Sequence, residues 1–219
     1  MVNYLCKGIL LLIAAVSIGA CTADEIVIDV YTSDIQSALD GNVIEVPVKA
    51  TFKMLGQDPQ GLLPKATEII KKYMSKNTQV TQSREAIGEV LTIKTELPMA
   101  TREQLNHYLT THTRVAGLVV DSEGKRVNFL NAALIDRMNQ ELKSINFLLN
   151  LKMPATRTVI RIINDKKKPV TAAAVAIFID RTAYPFAKQT IPMRQSVDFT
   201  YWGTQGSIYS QLSPSFFLD

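Results

Sequence analysis

Histidines, which can bind metals or transfer protons, are few in this sequence, and their spacing does not suit a metal site. His107 and His112 are the only histidines. On a helix, five residues correspond to about 500° of rotation, so the two rings do not share a face as an i, i+4 metal-binding pair does. No motif places Glu or Asp partners around them. We therefore predict no metal site.

Nucleophiles and carboxylates also lack the context that catalysis requires. No serine lies in a Gly-x-Ser-x-Gly turn, and the sequence contains neither a glycine-rich phosphate loop nor a dinucleotide-binding fingerprint. The acidic residues are scattered, and scattered carboxylates are usually solvated surface charges. We predict no catalytic residues and no cofactor, and we interpret the protein as a non-enzyme.

Composition and charge set the remaining bounds. Hydrophobic residues make up 47% of the 219 residues and charged residues 20%, which is typical of a folded globular chain. The net charge of +4 is a slight excess of 24 basic over 20 acidic residues. Nucleic-acid-binding proteins usually carry a clustered basic surface, so we predict no nucleic-acid partner.

The N-terminus has the three parts of a secretory signal peptide. Lys7 provides a basic start, residues 8–16 form a short apolar run, and small residues follow. The apolar run is too short to span a bilayer, because a spanning helix needs about 20 apolar residues. We predict that residues 1–20 direct export and are then removed.

The end of this segment, Ile18, Gly19, Ala20 and Cys21, resembles the lipobox of bacterial lipoprotein precursors, including those of phages and mobile elements. The resemblance covers only the N-terminus. It implies that a signal peptidase recognises the three residues before Cys21, and that Cys21 receives a diacylglycerol on its thiol and an acyl chain on its new amino group. Several acyl chains give stable attachment to a membrane.

The residues after Cys21 complete this interpretation. Thr22 stands where an aspartate would favour retention at the inner membrane, so the resemblance implies the periplasmic face of the outer membrane rather than the inner membrane. Cys6, the only other cysteine, leaves with the signal peptide. We assign residues 21–24 to the lipidated N-terminus and predict no disulfide in the mature chain.

Hydrophobic periodicity predicts an α+β domain over residues 25–153. Val43 to Met54 alternates apolar and polar residues and is the clearest strand, and Pro47 predicts that it is an edge strand or carries a bulge. Ser33–Gln36 and Thr101–Gln104 have capping-box spacing, so a helix is expected to begin at each. The other predicted elements are strands at 25–30, 78–84, 91–99, 115–120 and 147–153, and helices at 64–76 and 131–145.

Residues 154–219 are predicted to form a β-rich C-terminal domain or subdomain. Strands are expected at 158–163 and 170–180, paired as a hairpin around the turn 164–169, and at 196–202 and 207–212. The fold class is therefore α+β: long amphipathic antiparallel strands with three or four short helices, followed by an all-β part. The boundary lies near 150–155, and the sequence leaves open whether the two parts share one core.

Two surface features of this C-terminal part have more than one interpretation. Lys166–Lys168 is expected to be a solvated hairpin tip, although such a cluster can also contact anionic headgroups. Phe216–Leu218 is an apolar terminus that must dock, and we expect it to dock on its own domain. Other aromatic residues of this part are candidates for an interaction surface: Tyr184, Phe186, Phe199, Tyr201, Trp202 and Tyr209.

These observations predict a lipid-anchored envelope lipoprotein that acts as a non-enzymatic accessory or protein-binding module. The alternative is a carrier of lipids or apolar small ligands, since methionines can line an adaptable pocket. The methionines considered for that pocket are Met54, Met74, Met99, Met138 and Met153. An envelope hydrolase with a site outside known motifs is the least favoured alternative.

Overall fold

The computed structural model describes residues 23–54, 62–85, 88–120, 129–130, 132–145, 157–179, 182–202 and 216–218. Its helices are α1 (Thr32–Leu39), α2 (Leu62–Tyr73), α3 (Arg102–Thr111) and α4 (Ala132–Ile145). Its strands are β1 (Ala23–Tyr31), β2 (Ile44–Met54), β3 (Gln79–Glu85), β4 (Gly88–Ala100), β5 (Ala116–Val119), β6 (Phe129–Leu130), β7 (Arg157–Ile163), β8 (Val170–Ile179), β9 (Thr182–Ile191), β10 (Ser196–Trp202) and β11 (Phe216–Leu218). The fold class is α+β, as the sequence predicts.

The strands form one sheet in the order β11-β8-β10-β7-β1-β2-β4-β5-β6, with β3 paired to β4 and β9 paired to β8. The first strand, β1, lies in the middle of this order. It pairs antiparallel with β2 and parallel with β7, whose residues follow it by more than a hundred positions. The α+β part and the β-rich part are thus joined through the centre of the sheet.

The main core lies on one face of the sheet. Alternate residues of β1, Ile26, Ile28 and Val30, point into it because successive side chains of a strand face opposite sides. Helices α1, α2 and α4 cover this face, and full burial of each large side chain contributes about 1.5–3 kcal/mol. Core residues come from before and after the predicted boundary near 150–155, including Phe52, Ile70, Tyr73, Met138, Leu142, Ile160, Ile162 and Phe199.

Helix α3 packs on the other face of the sheet. Leu105 and Leu109 contact Ala100 and Val119, which alternate with the core-facing residues of β4 and β5. Gly117 allows this close approach, because a Cβ there would lie 2.7 Å from Leu105 Cδ1. The sheet is therefore covered by helices on both faces at its β5 end.

Three predictions about pairing and capping require correction. Strand β2 is not an edge strand, since it lies between β1 and β4. Its ladder with β1 ends at Val48, so Pro47 has no partner residue on β1 and its missing N–H interrupts no bond there. Strands β7 and β8 do not form a hairpin, because β10 lies between them. Neither predicted capping box forms: Ser33 donates to Asp165, and the Thr101 hydroxyl donates to Gln104 Oε1 at 2.9 Å.

The remaining predictions are either confirmed or concern residues outside the described ranges. The strands and helices expected at 25–30, 64–76, 78–84, 91–99, 115–120, 131–145, 158–163, 170–180 and 196–202 are confirmed within a few residues, and β9 and β6 were not predicted. Phe216–Leu218 pairs with β8, which confirms docking on its own chain. The strands expected at 147–153 and 207–212 lie outside the described residues, and the division at 153/154 stays a prediction.

Candidate functional site

The predicted lipidation residue sits next to the start of the central strand. Ile18, Gly19, Ala20 and Cys21 lie outside the described residues, but β1 begins at Ala23, two residues after Cys21. Consecutive Cα atoms are about 3.8 Å apart, so Cys21 is within about 7.6 Å of Ala23. A group attached to Cys21 is therefore held close to the N-terminal end of β1.

The opposite end of β1 adjoins two turns that pack together. Tyr31, the last residue of β1, pairs with Ile163, the last residue of β7. The chain then turns through 164–169 into β8, and a second turn, 192–195, connects β9 to β10. We call residues 164–169 and 192–195 the two-turn platform. A nine-residue strand such as β1 is about 26 Å long, so the platform and Ala23 are separated by roughly this distance.

Asn164 holds the two turns together. Its side chain is completely buried, and its Nδ2 donates to the carbonyl oxygens of Lys168 at 2.9 Å, Ile191 at 2.9 Å and Pro192 at 3.2 Å. Its Oδ1 accepts the Lys166 N–H at 3.0 Å. A buried amide with both ends engaged fixes the conformation around it, because any rearrangement would leave polar groups without partners.

The second turn contains a backbone conformation that is unusual for its residue. Arg194 has φ of 60°, in the left-handed region that favours glycine. Its N–H donates to Asn164 O at 2.9 Å, and the Asn164 N–H donates to Gln195 O at 2.9 Å. These two bonds keep Arg194 in this conformation at a cost of about 1 kcal/mol or more.

Asp165 connects the platform to the N-terminus of α1. Its Oδ1 accepts the Thr32 hydroxyl at 2.7 Å and the Ser33 N–H at 3.0 Å, and its Oδ2 accepts the Ser33 hydroxyl. Burial alone would raise the pKa of Asp165, but these hydrogen bonds outweigh it and hold the pKa below its usual value. Burial and the nearby Asp165 charge raise the pKa of Asp34. Asp165 thus caps α1 from a distant part of the chain.

The outer surface of the platform carries four cations and one apolar side chain. The cations are Lys166, Lys167, Lys168 and Arg194, and none of them has an ion-pair partner among the described residues. The apolar side chain is that of Met193, which precedes Arg194 in the second turn and is 48% exposed. The lysine cluster was predicted as a hairpin tip; it is instead a turn between two strands that β10 separates.

One of the two histidines ends a helix. His112 is the C-terminal cap of α3, and its ring stacks on Tyr108 with 4.1 Å between the ring centroids. Tyr108 donates to Glu45 at 2.8 Å, and Arg114 contacts the same carboxylate at 3.4 Å. Across the described part of the chain, no group of three or more His, Cys, Asp or Glu side chains could hold a metal ion.

Other polar clusters join secondary-structure elements. Glu141 of α4 accepts Lys72 Nζ at 2.7 Å and the Tyr73 hydroxyl at 2.6 Å, which connects α4 to α2. Burial and the Glu141 carboxylate raise the pKa of Tyr73. Arg161 of β7 forms a two-bond pair with Asp198 of β10, at 2.8 and 3.0 Å. Each of these carboxylates already has a structural partner.

The methionines proposed for a ligand pocket lie mainly in the core. Met74, Met99 and Met138 are at most 3% exposed, while the side chains of Met54 and Met153 lie outside the described set. An open cleft of about 500 Å³ is found elsewhere, between α2 and β3. Its lining residues are Pro64, Lys65, Thr67, Glu68 and Val80.

The aromatic residues of the C-terminal part are divided between surface and core. Tyr184 and Phe186 are 40% and 56% exposed on β9, whereas Phe199 is buried. The side chains of Tyr201, Trp202, Tyr209, Phe216 and Phe217 are not among those described. The aromatic cluster predicted from the sequence is therefore exposed only in part.

The sequence predicted the turn at 164–169 but not the roles of Asn164 and Arg194 in the platform. An Asn-Asp pair is a common turn signal, but the acceptors of the Asn164 amide at 191 and 192 are remote in sequence. Nothing in the sequence marked Arg194, because its φ depends on a contact with Asn164.

No helix within the described ranges is long and apolar enough to cross a bilayer. No curated protein and no solved structure matches this chain. Residues 24–201, most of the folded region, match a protein family described as a domain of unknown function (DUF7424). The chain therefore belongs to this family.

Proposed function

We propose that this protein is a lipid-anchored lipoprotein of the bacterial envelope and acts as a non-enzymatic accessory module that binds another envelope protein. The observation that carries the proposal is the position of the two-turn platform at the end of β1 that is remote from Cys21. An anchor at one end of a rigid strand leaves the other end free for a partner. The outer membrane, facing the periplasm, is the proposed location.

The anchor follows from chemistry at Cys21. Two ester-linked chains and one amide-linked chain bury enough methylene groups to attach the protein stably, at about 0.8 kcal/mol per buried CH₂. Because only Thr22 separates Cys21 from β1, the folded body stays near the membrane surface. We propose that β1 is directed away from the membrane, which places the platform on the side of the protein remote from the anchor.

The anchor is tested with Cys21→Ala in cells. The variant is expected to leave the membrane fraction after a salt wash while keeping its fold, because position 21 precedes every described element. Sedimentation of the variant with washed membranes would contradict the anchor.

The partner is tested by photo-crosslinking in cells. A crosslinking residue at position 167 or 193 is expected to trap a protein, whereas the same residue at Lys143, exposed on α4, serves as the control. Absence of a crosslinked product at both platform positions would contradict protein binding there.

A carrier of an apolar ligand remains a second candidate because of the cleft between α2 and β3. Its volume of about 500 Å³ falls within the range of small-molecule sites, and Pro64 and Val80 give it an apolar component. Native mass spectrometry of the protein released from the envelope tests this candidate. A bound mass that denaturation removes would favour the carrier, and a mass equal to that of the protein alone would count against it.

A further inference from the structure

We propose that the two-turn platform recognises an acidic segment of the partner protein, with an apolar side chain of that segment against Met193. This inference rests on the proposed function, because it names the chemistry of the partner at the same surface. The preference for acidic groups does not depend on how the protein is anchored, whereas the choice of a protein segment over a lipid headgroup rests on the proposed anchor at Cys21.

The first step is the concentration of unpaired positive charge. Lys167, Lys168 and Arg194 are exposed, Lys166 is half-buried, and no described carboxylate pairs with any of them. The nearest acid in sequence, Asp165, is held by the first turn of α1. The platform therefore carries four cations against the single carboxylate of Asp165, which bonds to Thr32 and Ser33 and not to the cations. Its net positive charge attracts ligands of the opposite sign and raises their association rate.

The second step is rigidity. Asn164 holds the carbonyl of Lys168 in one turn and the carbonyl of Pro192 in the other, so the backbones of the two turns that carry the cations keep a constant separation. A surface that is already ordered loses little conformational entropy on binding. Lysines on a flexible backbone without such a support would lose more conformational entropy on binding.

The third step is the strain at Arg194. A glycine at φ of 60° would avoid the cost that an arginine incurs there. Strained residues are concentrated at binding and catalytic sites, where the side chain has a use that outweighs the strain. The guanidinium also offers two parallel donors to a carboxylate, which a lysine does not.

Position favours a protein segment over the lipid headgroups of the membrane that holds the anchor. The platform is roughly 26 Å along β1 from the anchored end. With β1 directed away from the membrane, as we propose, this distance exceeds the Debye length of about 8 Å at physiological ionic strength, and that membrane would exert little attraction on the platform. Met193 adds an exposed, adaptable apolar contact that suits a polypeptide side chain.

The direct test measures binding of a fluorescein-labelled oligoglutamate peptide to the full chain in non-ionic detergent. Oligoglutamine of the same length is the uncharged control, and glycerol phosphate is the competitor that represents a lipid headgroup. We expect oligoglutamate to bind, oligoglutamine not to bind, and added salt to weaken binding. Failure of oligoglutamate to bind, or its displacement by glycerol phosphate at lower concentration than by unlabelled oligoglutamate, would overturn the proposal.

Variants assign the binding to the platform. Lys167→Glu with Lys168→Glu is expected to weaken oligoglutamate binding roughly tenfold. Lys76→Glu with Lys143→Glu makes the same change in net charge at exposed positions elsewhere and is expected to have little effect. Equal losses in the two double variants would mean that only net charge matters and would refute a specific site.

Arg194→Gly separates binding from folding. It removes a cation and also the strained conformation, so we expect binding to weaken several-fold while the melting temperature stays constant or rises. A variant that melts at the same or a higher temperature and binds as tightly as the parent would exclude Arg194 from the site.

The crosslinking experiment distinguishes the two proposals. If position 193 crosslinks a partner and the Lys167→Glu, Lys168→Glu change does not reduce the product, the acidic segment is refuted and protein binding stands. If oligoglutamate binds and no partner is trapped in cells, the proposed function fails and the charge preference stands.

Discussion

Replacing Asn164 by alanine is the most informative perturbation of the fold near the platform. The Asn164 amide gives two hydrogens to three carbonyl oxygens and accepts one N–H. Each net hydrogen bond contributes about 1 kcal/mol, so Asn164→Ala is expected to lower the free energy of unfolding by about 3 kcal/mol. For a domain of this size, that loss corresponds to a decrease of about 6–12 °C in melting temperature.

Urea unfolding followed by circular dichroism measures this loss. Asn42→Ala is the matched control, because Asn42 is exposed and its amide contacts only Ser37. The control should lose less than about 1 kcal/mol. Hydrogen exchange should also accelerate at both turns of the platform in Asn164→Ala. A loss below about 1 kcal/mol in Asn164→Ala would refute the view that this amide joins the turns.

Asn164→Asp sharpens the test by keeping the shape of the side chain. It directs an oxygen at three carbonyl oxygens, so burial and these dipoles should raise the pKa of the introduced carboxyl in the folded state. The destabilisation relative to the parent should then be greatest at neutral pH and decrease as the pH falls through that raised pKa. A penalty that does not depend on pH would contradict this reasoning.

Three further predictions concern other contacts. Asp165→Asn should lower the free energy of unfolding by about 1 kcal/mol at neutral pH. Because the folded-state pKa of Asp165 is lowered, the difference in stability between the parent and the variant should disappear as the pH falls through that pKa. Urea unfolding at several pH values measures this difference. Gly117→Ala should cost about 1–3 kcal/mol in thermal unfolding, because the new Cβ would overlap the buried Leu105 side chain and approach a backbone carbonyl. Tyr73→Phe should cost about 1 kcal/mol, since it removes the hydrogen bond to Glu141 while keeping the ring in the core, and an unchanged melting temperature would contradict that bond.

Periodicity predicted the elements that bury one face. Val46 to Phe52 and Leu91 to Thr95 alternate between buried and less buried residues because each has one face on the core, and the α2 stripe of Ala66, Ile70 and Tyr73 is buried for the same reason. Strand β9 was missed because Pro185 interrupts a segment whose exposed positions include aromatic residues. A local pattern cannot show that such a segment is an outer strand.

Pairing and capping were less predictable because their determinants are remote in sequence. The helix at Thr32 was expected from its own residues, but its cap comes from Asp165, 132 positions from Ser33. Strand β7 pairs with β10 and β1 instead of the adjacent β8. The platform depends on both effects, so the sequence predicted the lysine-containing turn at 164–169 but neither the second turn at 192–195 nor the surface that the two turns form.

The central position of β1 also determines how the protein would respond to mechanical force. If Cys21 carries the proposed lipid anchor and a partner bound at the platform is pulled away from the membrane, the tension would enter through Cys21 and act along β1. That strand is held on one side by β7, which runs in the same direction, and on the other by β2. Tension along the strands loads all the hydrogen bonds of both ladders together in shear, whereas an edge strand peeled from its end would lose them one at a time. The strand that follows the proposed anchor is thus placed where the sheet offers the greatest resistance to rupture.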